Sequence, residues 1–345
     1  MSDFDVVMEQ IRAGLTGEAE HDIDYLLSQA QAHQDSPLAK EIARECGRMV
    51  WELLPGDQKD AFSQTIDDDG AELQAALDEA DRLGRSGRCE EAARVLEPQV
   101  HKLDELIAGG WYADDTESVY FDFDTLSELF VWKAHTNEER EPHGVSQPIA
   151  LVFFVYSSCL YECERYAEAV EWIEKAIRWN PASARLRFEL AEDYKRLGDI
   201  DACDAAIDVA YPLVANASDM AKWHREKAFV EIERGELELA AAHLIGSLIF
   251  EGSDSAANEL MYIKAKYGKD FTGMDGNTAV RILEENGRPL VPDMGTLHAL
   301  ADLLLMLREE RRVDEAADIA EDLYGLTGDE SVGRLAEMLR SESGR

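Results

Sequence analysis

The sequence is poor in proline and cysteine and has no long apolar run. Nine prolines in 345 residues leave room for long helices, because proline breaks a helix interior. Five cysteines, odd in number and scattered, are poor evidence for a disulfide framework in a chain of this length. The most apolar stretch, residues 149–161, is shorter than the roughly 20 residues that a membrane-spanning helix needs. These absences favour a helical, water-soluble protein.

Basic residues are scarce as well. The chain has 34 lysine and arginine residues against 72 aspartate and glutamate residues, which gives a formal net charge of −38. Duplex DNA and anionic lipid both attract a cationic surface, so the charge argues against nucleic acid or a membrane as the main partner. The acidic N-terminus, residues 1–5, lacks the basic region and apolar stretch of a secretory signal. We therefore expect a cytoplasmic protein.

Motifs that carry known chemistry are missing too. The sequence has no phosphate-binding G-x-x-x-x-G-K-[ST] or G-x-G-x-x-G, no zinc-binding H-E-x-x-H and no G-x-S-x-G. Cys159 and Cys163 are four residues apart and share a helix face, which indicates either half of a metal site or two small buried side chains. No second cysteine or histidine pair has zinc spacing, so the second interpretation is favoured. We expect no metal, no cofactor and no catalytic residue.

One acidic run has a separate interpretation. Residues 67–70, Asp-Asp-Asp-Gly, are similar to a calcium-binding loop, but Thr65 and Ala76 occupy the two end positions that require acids. The run is instead predicted to cap a helix that begins near residue 70, because the helix dipole favours negative charge at its N-terminus.

Helical periodicity is the dominant pattern in the sequence. Leucine, alanine, glutamate and arginine recur at three- and four-residue spacing, and no run alternates apolar and polar residues as a strand does. Glycines in short turns, such as residues 197–199 and 234–236, indicate tight connections between antiparallel helices. The helices are predicted near residues 3–14, 18–33, 37–54, 70–85, 89–108, 124–135, 147–163, 166–179, 182–197, 200–213, 218–234, 236–250, 254–267, 277–286, 295–309, 313–326 and 330–341.

Within this helical pattern, small residues recur at a fixed spacing. Three consecutive units each place small residues 12 and then 7 positions apart, and successive units are displaced by 34 and 37 residues. A large side chain at these places would force two helices apart, so each unit is predicted to be a helical hairpin. The three sets are Ser157, Ala169 and Ala176; Ala191, Cys203 and Ala210; and Ala228, Ala240 and Ser247.

At these positions the chain resembles the tetratricopeptide repeat (TPR) family, whose pattern reads W-x₂-L-G-x₂-Y, then A-x₃-F, then P. Arg187 departs from this pattern at a large aromatic position, which weakens that helix contact, and Glu231 stands at the tyrosine place of the third unit. The matching residues are Phe153, Tyr156, Ser157, Leu160, Ala169, Ile173 and Pro181 in the first unit, and Leu190, Ala191, Tyr194, Cys203 and Ile207 in the second.

The resemblance implies an all-α fold, a right-handed superhelical stack of helix-turn-helix hairpins with irregular capping helices. Weaker copies of the spacing near residues 80–99 and 304–323 predict two further, degenerate hairpins, and we expect the five hairpins to stack in sequence order. The predicted organisation is an N-terminal helical cap over 1–69, a degenerate hairpin with an aromatic and acidic insert over 70–146, core repeats over 147–251, and C-terminal helices with a degenerate hairpin over 252–345.

Two functions fit these features. The first helices of stacked hairpins line a concave groove, which can hold a peptide or helix of a partner without any catalytic residue. The main prediction is therefore a non-catalytic scaffold or adaptor for protein–protein interaction, not an enzyme. The alternative is an enzyme or enzyme subunit whose site lies in the irregular segments 109–146 or 268–296, because function often lies on such loops.

The predicted partner is another protein or peptide, held on the inner face of the second and third units. Five of the nine residues predicted there are basic, and two interpretations stay open. The cations are solvated or paired with Glu189, Glu192 and Glu226, or they form a mildly cationic groove for an acidic-hydrophobic peptide, with phenylalanine anchors. The nine residues are Arg185, Phe188, Glu192, Lys195, Arg196, Lys222, Arg225, Phe229 and Ile232.

Overall fold

The computed structural model describes residues 3–33, 36, 38–54 and 56–343, with only the backbone at 3, 5, 20, 40, 41, 44, 51, 52, 56–69 and 343. Within these residues, the chain forms seventeen α helices, one 3₁₀ turn and two short strands. They are α1 (Asp3–Ala13), α2 (Ala19–Ala32), α3 (Ala39–Leu53), α4 (Gly56–Arg85), α5 (Cys89–Ala108), β1 (Ser118–Phe121), α6 (Leu126–His135), β2 (Glu141–Gly144), α7 (Ile149–Glu162), α8 (Tyr166–Trp179), α9 (Ala184–Leu197), α10 (Ile200–Ala210), the 3₁₀ turn (Tyr211–Leu213), α11 (Ala217–Arg234), α12 (Leu237–Phe250), α13 (Asp254–Tyr267), α14 (Gly276–Glu285), α15 (Met294–Glu309), α16 (Val313–Thr327) and α17 (Glu330–Ser343).

The chain divides into two compact units. Unit 1 comprises residues 1–120 and 140–147, and unit 2 comprises residues 121–139 and 148–345. Unit 1 begins with α1, α2 and α3, whose apolar side chains form a small core. The buried members of that core are Met8, Ile11, Leu26, Ile42 and Cys46.

A hairpin of α4 and α5 completes the helical part of unit 1. Ala80 and Ala92 are both buried, as the degenerate copy of the spacing predicts. Helix α4 begins at Gly56 rather than near residue 70, so the predicted cap at residues 67–70 is wrong. Aspartate and a single glycine each cost a helix interior about 1 kcal/mol or less, and no proline lies between Gly56 and Arg85 to end the helix.

Between α5 and α7 in the sequence, the chain forms a two-stranded ribbon. No strand was predicted there, so the expectation of helices and loops alone is wrong. β1 pairs with β2, and the backbone N–H of Glu141 donates to the carbonyl of Glu117 at 2.8 Å. Each strand has only four residues. Because β2 contains Pro142 and Gly144, residue types that are depleted in strands, it has no recognisable strand pattern.

Unit 2 is built on a stack of six helices, α7 to α12. Each helix packs against its neighbours in sequence, from α7 against α8 to α11 against α12. We refer to α7–α8, α9–α10 and α11–α12 as the first, second and third hairpins. All nine small residues of the predicted spacing are at most 3% exposed. In the first hairpin the Ser157 hydroxyl donates to the Ala169 carbonyl at 2.9 Å, which requires a close approach of α7 and α8. The predicted register is confirmed.

The C-terminal helices do not continue this stack in order. Helices α13 and α14 pack on α12, whereas α15 packs against α6 and the 3₁₀ turn. The expectation that all five hairpins stack in sequence order is therefore wrong for the last one. Polar contacts between distant residues hold α15 there: the Tyr211 hydroxyl donates to the Val291 carbonyl at 2.8 Å, and the Thr296 hydroxyl donates to the Pro212 carbonyl. Repeat spacing does not encode such contacts.

Candidate partner-binding face

Helices α9 and α11, the first helices of the second and third hairpins, carry the nine predicted partner-binding residues. Seven of the nine residues lie at least partly at the surface. Phe188 and Ile232 are buried, with exposures of 0% and 3%. Helix α9 packs against α8, α10 and α11, so its buried arc is wider than one face. The apolar anchor expected at Phe188 is therefore part of the core.

Cations on one first helix lie over aromatic rings on a neighbouring first helix. A cation within about 6 Å of a ring centre is attracted by the π-electrons, so these contacts join α7 to α9 and α9 to α11. We refer to the surface that they form as the first-helix face. The pairs, with distances to the ring centre, are Arg185 over Phe154 (4.6 Å), Arg196 over Tyr161 (5.6 Å), Lys222 over Phe188 (5.1 Å) and Lys195 over Phe229 (4.6 Å).

Every predicted cation of the first-helix face also has a polar partner. Arg196 donates from Nε to the Tyr161 hydroxyl at 2.9 Å, and the other four form ion pairs with carboxylates. Paired cations are one of the two predicted interpretations, and the face has no large excess of positive charge. The ion pairs are Arg185 with Asp124 (3.7 Å), Lys195 with Glu192 (2.8 Å) and with Glu226, Lys222 with Glu189 (3.4 Å), and Arg225 with Glu251 (3.3 Å).

Lys195 is the most enclosed of these cations, with a side chain only 14% exposed. Burial alone lowers the pKa of Lys195, but the carboxylates of Glu226 and Glu192 outweigh burial and hold the pKa above its ordinary value. The ammonium group therefore stays charged at neutral pH. It connects α9 to α11 and is a fixed part of the face.

Asp193 lies on α9 beside this surface and was not predicted from the sequence. It is 2% exposed, and its Oδ1 has no hydrogen-bond partner within the described residues. Burial, with smaller effects from Glu189 and Glu192, raises the pKa of Asp193 to about 7. The second hairpin thus contains a buried acid that forms no ion pair with any cation among the described residues.

Three residues of the face were missed by sequence reasoning. Tyr161 lies 35 positions before Arg196, close to the repeat displacement, so the spacing could have indicated it. Asp124 and Glu251 lie outside the helices that carry the repeat. Spacing gives no signal for either of them.

The alternative enzyme site can be compared with the structure at the contact between α6 and α15. His135 and Asp293 come from the two irregular segments, and the structure brings them together with Thr296. His135 Nε2 lies 2.9 Å from Thr296 Oγ1 and 3.3 Å from Asp293 Oδ1. A catalytic triad needs the hydroxyl and the carboxylate on opposite ring nitrogens. Thr296 is also fully buried and donates to the Pro212 carbonyl, so this cluster pins α15 in place.

A buried histidine pair lies inside the third hairpin. His224 Nε2 is 3.3 Å from the Leu290 carbonyl, and the two Nδ1 atoms of His224 and His243 are 2.8 Å apart. Burial lowers the pKa of each ring to about 3, so both are neutral at pH 7. Because a carbonyl only accepts, a neutral His224 donates from Nε2 and accepts at Nδ1 from His243.

Glu231 completes this buried group. Its Oε1 lies 3.4 Å from His243 Nε2 and 3.6 Å from Arg288 Nε. Burial raises the pKa of Glu231 to about 8, against the opposing effect of Arg288. Neither oxygen of Glu231 nor Nε2 of His243 has a hydrogen-bond partner within the described residues. Glu231, one of the two residues that depart from the TPR pattern, thus lies in a buried polar cluster, and its ion pair with Arg288 joins the segment after α14 to α11.

Two absences hold for the part of the chain that the structure describes. No group of three or more histidine, cysteine or acidic side chains there is placed to hold a metal ion. No helix there combines the length and the apolar character needed to cross a bilayer.

Comparison with known proteins shows likeness only to solved structures. No family model and no curated protein matches the sequence. The APC/C hetero-tetramer Cut9–Hcn1 matches at 13% identity and a TM-score of 0.31, over 94% of this chain and 61% of that chain. The TPR domain of P58(IPK) matches at 13% identity and a TM-score of 0.27, over 99% of this chain and 90% of that chain. The match to Cut9–Hcn1 thus spans less than two thirds of that chain.

The protein has a TPR-like, all-α helical-repeat fold. Its own geometry carries this conclusion: consecutive helices pair into hairpins, and the small residues of the repeat are buried at their contacts. The TPR-like hairpins place α7, α9 and α11 side by side, which is what assembles the first-helix face.

Proposed function

We propose that the protein is a non-catalytic interaction scaffold and that its first-helix face holds a segment of a partner protein. The observation that most supports this is the row of side chains that crosses α7, α9 and α11 through four cation–aromatic pairs. A segment laid across that row contacts three helices at once, which is how helical repeats bind extended ligands.

The charged groups of the face differ in how readily they can exchange partners. Arg185 and Asp124 are 50% and 45% exposed and lie 3.7 Å apart. An exposed pair of this kind contributes about 0–1 kcal/mol, so a partner's carboxylate replaces Asp124 at little cost. Arg225 is 21% exposed and pairs with Glu251, which is 41% exposed. The partner is therefore expected to carry acids that reach Arg185 and Arg225, while Lys195 and Glu226 hold the face together.

Two half-buried aromatic rings supply the apolar part of the face. Phe154 and Phe229 are partly exposed, and each is covered on one side by a cation of α9. Aromatic and arginine side chains are the most frequent hot spots of protein interfaces. An acidic-hydrophobic segment matches this combination. Of the two predicted phenylalanine anchors, Phe188 is buried, which leaves Phe229 for that role.

Affinity capture with matched charge variants tests this function. The wild type, the double variant Arg185→Glu with Arg225→Glu, and Arg178→Glu are each used as bait. Arg178 is exposed on α8, a second helix, so its reversal changes charge away from the face. We expect proteins captured by the wild type to be retained by Arg178→Glu and reduced tenfold or more by the double variant. Equal capture by all three baits, with unchanged circular dichroism, would contradict the proposal.

A further inference from the structure

The last three helices border an open cleft, lined by both apolar and charged side chains, that shares no residue with the first-helix face. The cleft has a volume of about 600 Å³, within the range of roughly 300–1,000 Å³ that is usual for ligand sites. We refer to it as the C-terminal cleft. It is lined by Leu305, Arg308, Glu309, Arg311, Val313, Leu335, Met338, Leu339 and Glu342.

Two large apolar side chains of the cleft are exposed to solvent over more than half of their surface. Leu305 and Met338 are 56% and 61% exposed. Helix α15 already buries Leu300, Leu303 and Leu307 in its own packing, so Leu305 is not needed there. Flexible, exposed methionine is typical of surfaces that accept a partner's apolar side chains. The cleft thus presents apolar area that no described residue covers.

The arginines of the cleft differ from their neighbours in pairing. Arg312 pairs with Glu310 and Glu315, and Arg340 pairs with Asp318 and Glu321. Arg308 and Arg311 have no side-chain hydrogen bond or ion pair within the described residues, although acids outnumber bases by two to one in the chain. Two unpaired guanidinium groups therefore lie at the edge of the exposed apolar surface.

The backbone of Arg311 gives a second indication. Its φ is +59°, in the left-handed region that favours glycine. Gly198 and Gly235 occupy the same turn position in the second and third hairpins, with φ of +74° and +80°. The side chain of Arg311 forms no hydrogen bond or ion pair within the described fold that offsets this strain. A ligand of the guanidinium group would offset it, and the unpaired guanidinium is the observation that points to such a ligand.

We propose that the C-terminal cleft is a second docking surface, which takes an amphipathic helix of another protein. Leucine or methionine side chains of that helix enter between Leu305 and Met338, and its acids pair with Arg308 and Arg311. A second copy of this chain is a poor occupant, because two molecules that each carry a net charge of −38 repel each other. Glu309 and Glu342 also line the cleft, so the docking helix carries some bases rather than an unbroken acidic run.

A phage-displayed library of amphipathic 20-residue helices with random flanking charges is the probe for this surface. We expect the wild type to select clones that carry acids beside an apolar stripe, and Met338→Glu to weaken them tenfold or more. Arg308→Glu should weaken these clones, and changing the facing acid of a clone to arginine should restore its binding to Arg308→Glu. Arg185→Glu, on the first-helix face, should bind the same clones as the wild type, which separates this site from the proposed scaffold face.

Two glycine variants separate binding from folding. Arg311→Gly relieves the strained backbone, so its melting temperature should stay equal or rise while binding of the selected clones falls tenfold or more. Glu164 has a φ of +61° at the same turn position of the first hairpin, and Glu164→Gly should raise the melting temperature similarly without changing binding. The proposal is overturned if no selected clone depends on Met338 and Arg311, or if sedimentation shows a dimer that Met338→Glu dissociates.

Discussion

The second and third hairpins have the same repeat register, but they bury different kinds of side chain around it. Both bury small residues at the helix contacts, Ala191 in the second and Ala228 in the third. Next to this shared contact, the second hairpin buries Phe188 and one acid, Asp193, that forms no ion pair among the described residues. The third buries two neutral histidines with Glu231. The small residues therefore set the spacing of the helices, while the remaining core is free to be apolar or polar.

The largest difference in stability between the two hairpins is expected from substitution of Phe188. Phe188→Ala should destabilise the fold by about 3–5 kcal/mol, because it removes a fully buried ring from α9. Chemical denaturation measures the change. Phe229→Ala on α11 is the matched control and should cost clearly less, since Phe229 is half-buried. Equal losses at both positions would mean that Phe188 is not a core residue.

The shared register is tested by enlarging its small residues. Ala191→Leu and Ala228→Leu should each cost about 1–3 kcal/mol of unfolding free energy, because both side chains are fully buried between helices. Ala205→Leu, on the exposed side of α10, serves as control and should change stability by about 0.5 kcal/mol or less. Changes near zero at both buried positions would show that the register is wrong.

The buried acid of the second hairpin should make stability depend on pH. The pKa of Asp193, about 7 in the folded chain, lies above its unfolded value of about 3.9. Its contribution is therefore fully present below the unfolded pKa and is lost as pH rises through 7. Asp193→Asn has no such loss, so it should be more stable than the wild type by about 1–3 kcal/mol at pH 8. The gain should vanish near pH 4, as measured by denaturation at both pH values.

The smallest effect on stability is expected at Arg185. Arg185→Ala removes one exposed ion pair with Asp124, which should cost about 1 kcal/mol or less. The same change should weaken a captured partner by about 1–2 kcal/mol, because Arg185 faces outward on the first-helix face. Thermal melting and a binding isotherm measure the two quantities. A large loss of stability with no loss of binding would make Arg185 a structural residue.

Much of the fold could be predicted from the sequence, because helix periodicity and buried small residues are local signals. The 12-and-7 spacing located the three hairpins and the close contact of Ser157 with Ala169. The position of α15 could not be predicted, because contacts such as Tyr211 with Val291 join residues far apart in sequence. The ribbon was not predicted because its strands are short and one of them contains proline.

The sequence predicted which helices form the candidate face, but it predicted only some of the side chains at its surface. Residues one turn apart on α9 and α11 do lie side by side, yet Phe188 points into the core because α9 has neighbours on more than one side. Asp124 and Glu251, which pair with Arg185 and Arg225, lie outside the repeat. Repeat spacing specifies where helices meet, and it does not specify which loops supply the opposite charges.

Site-specific photo-crosslinking tests the central claim most directly, since it reports which helix face contacts a partner. A benzophenone amino acid replaces Phe229 on the first-helix face or Val209, which is 48% exposed on the second helix α10. We expect position 229 to form covalent adducts with another protein and position 209 to form few or none. Adducts from position 209 alone, or equal adducts from both positions, would contradict the claim that the first helices hold the partner.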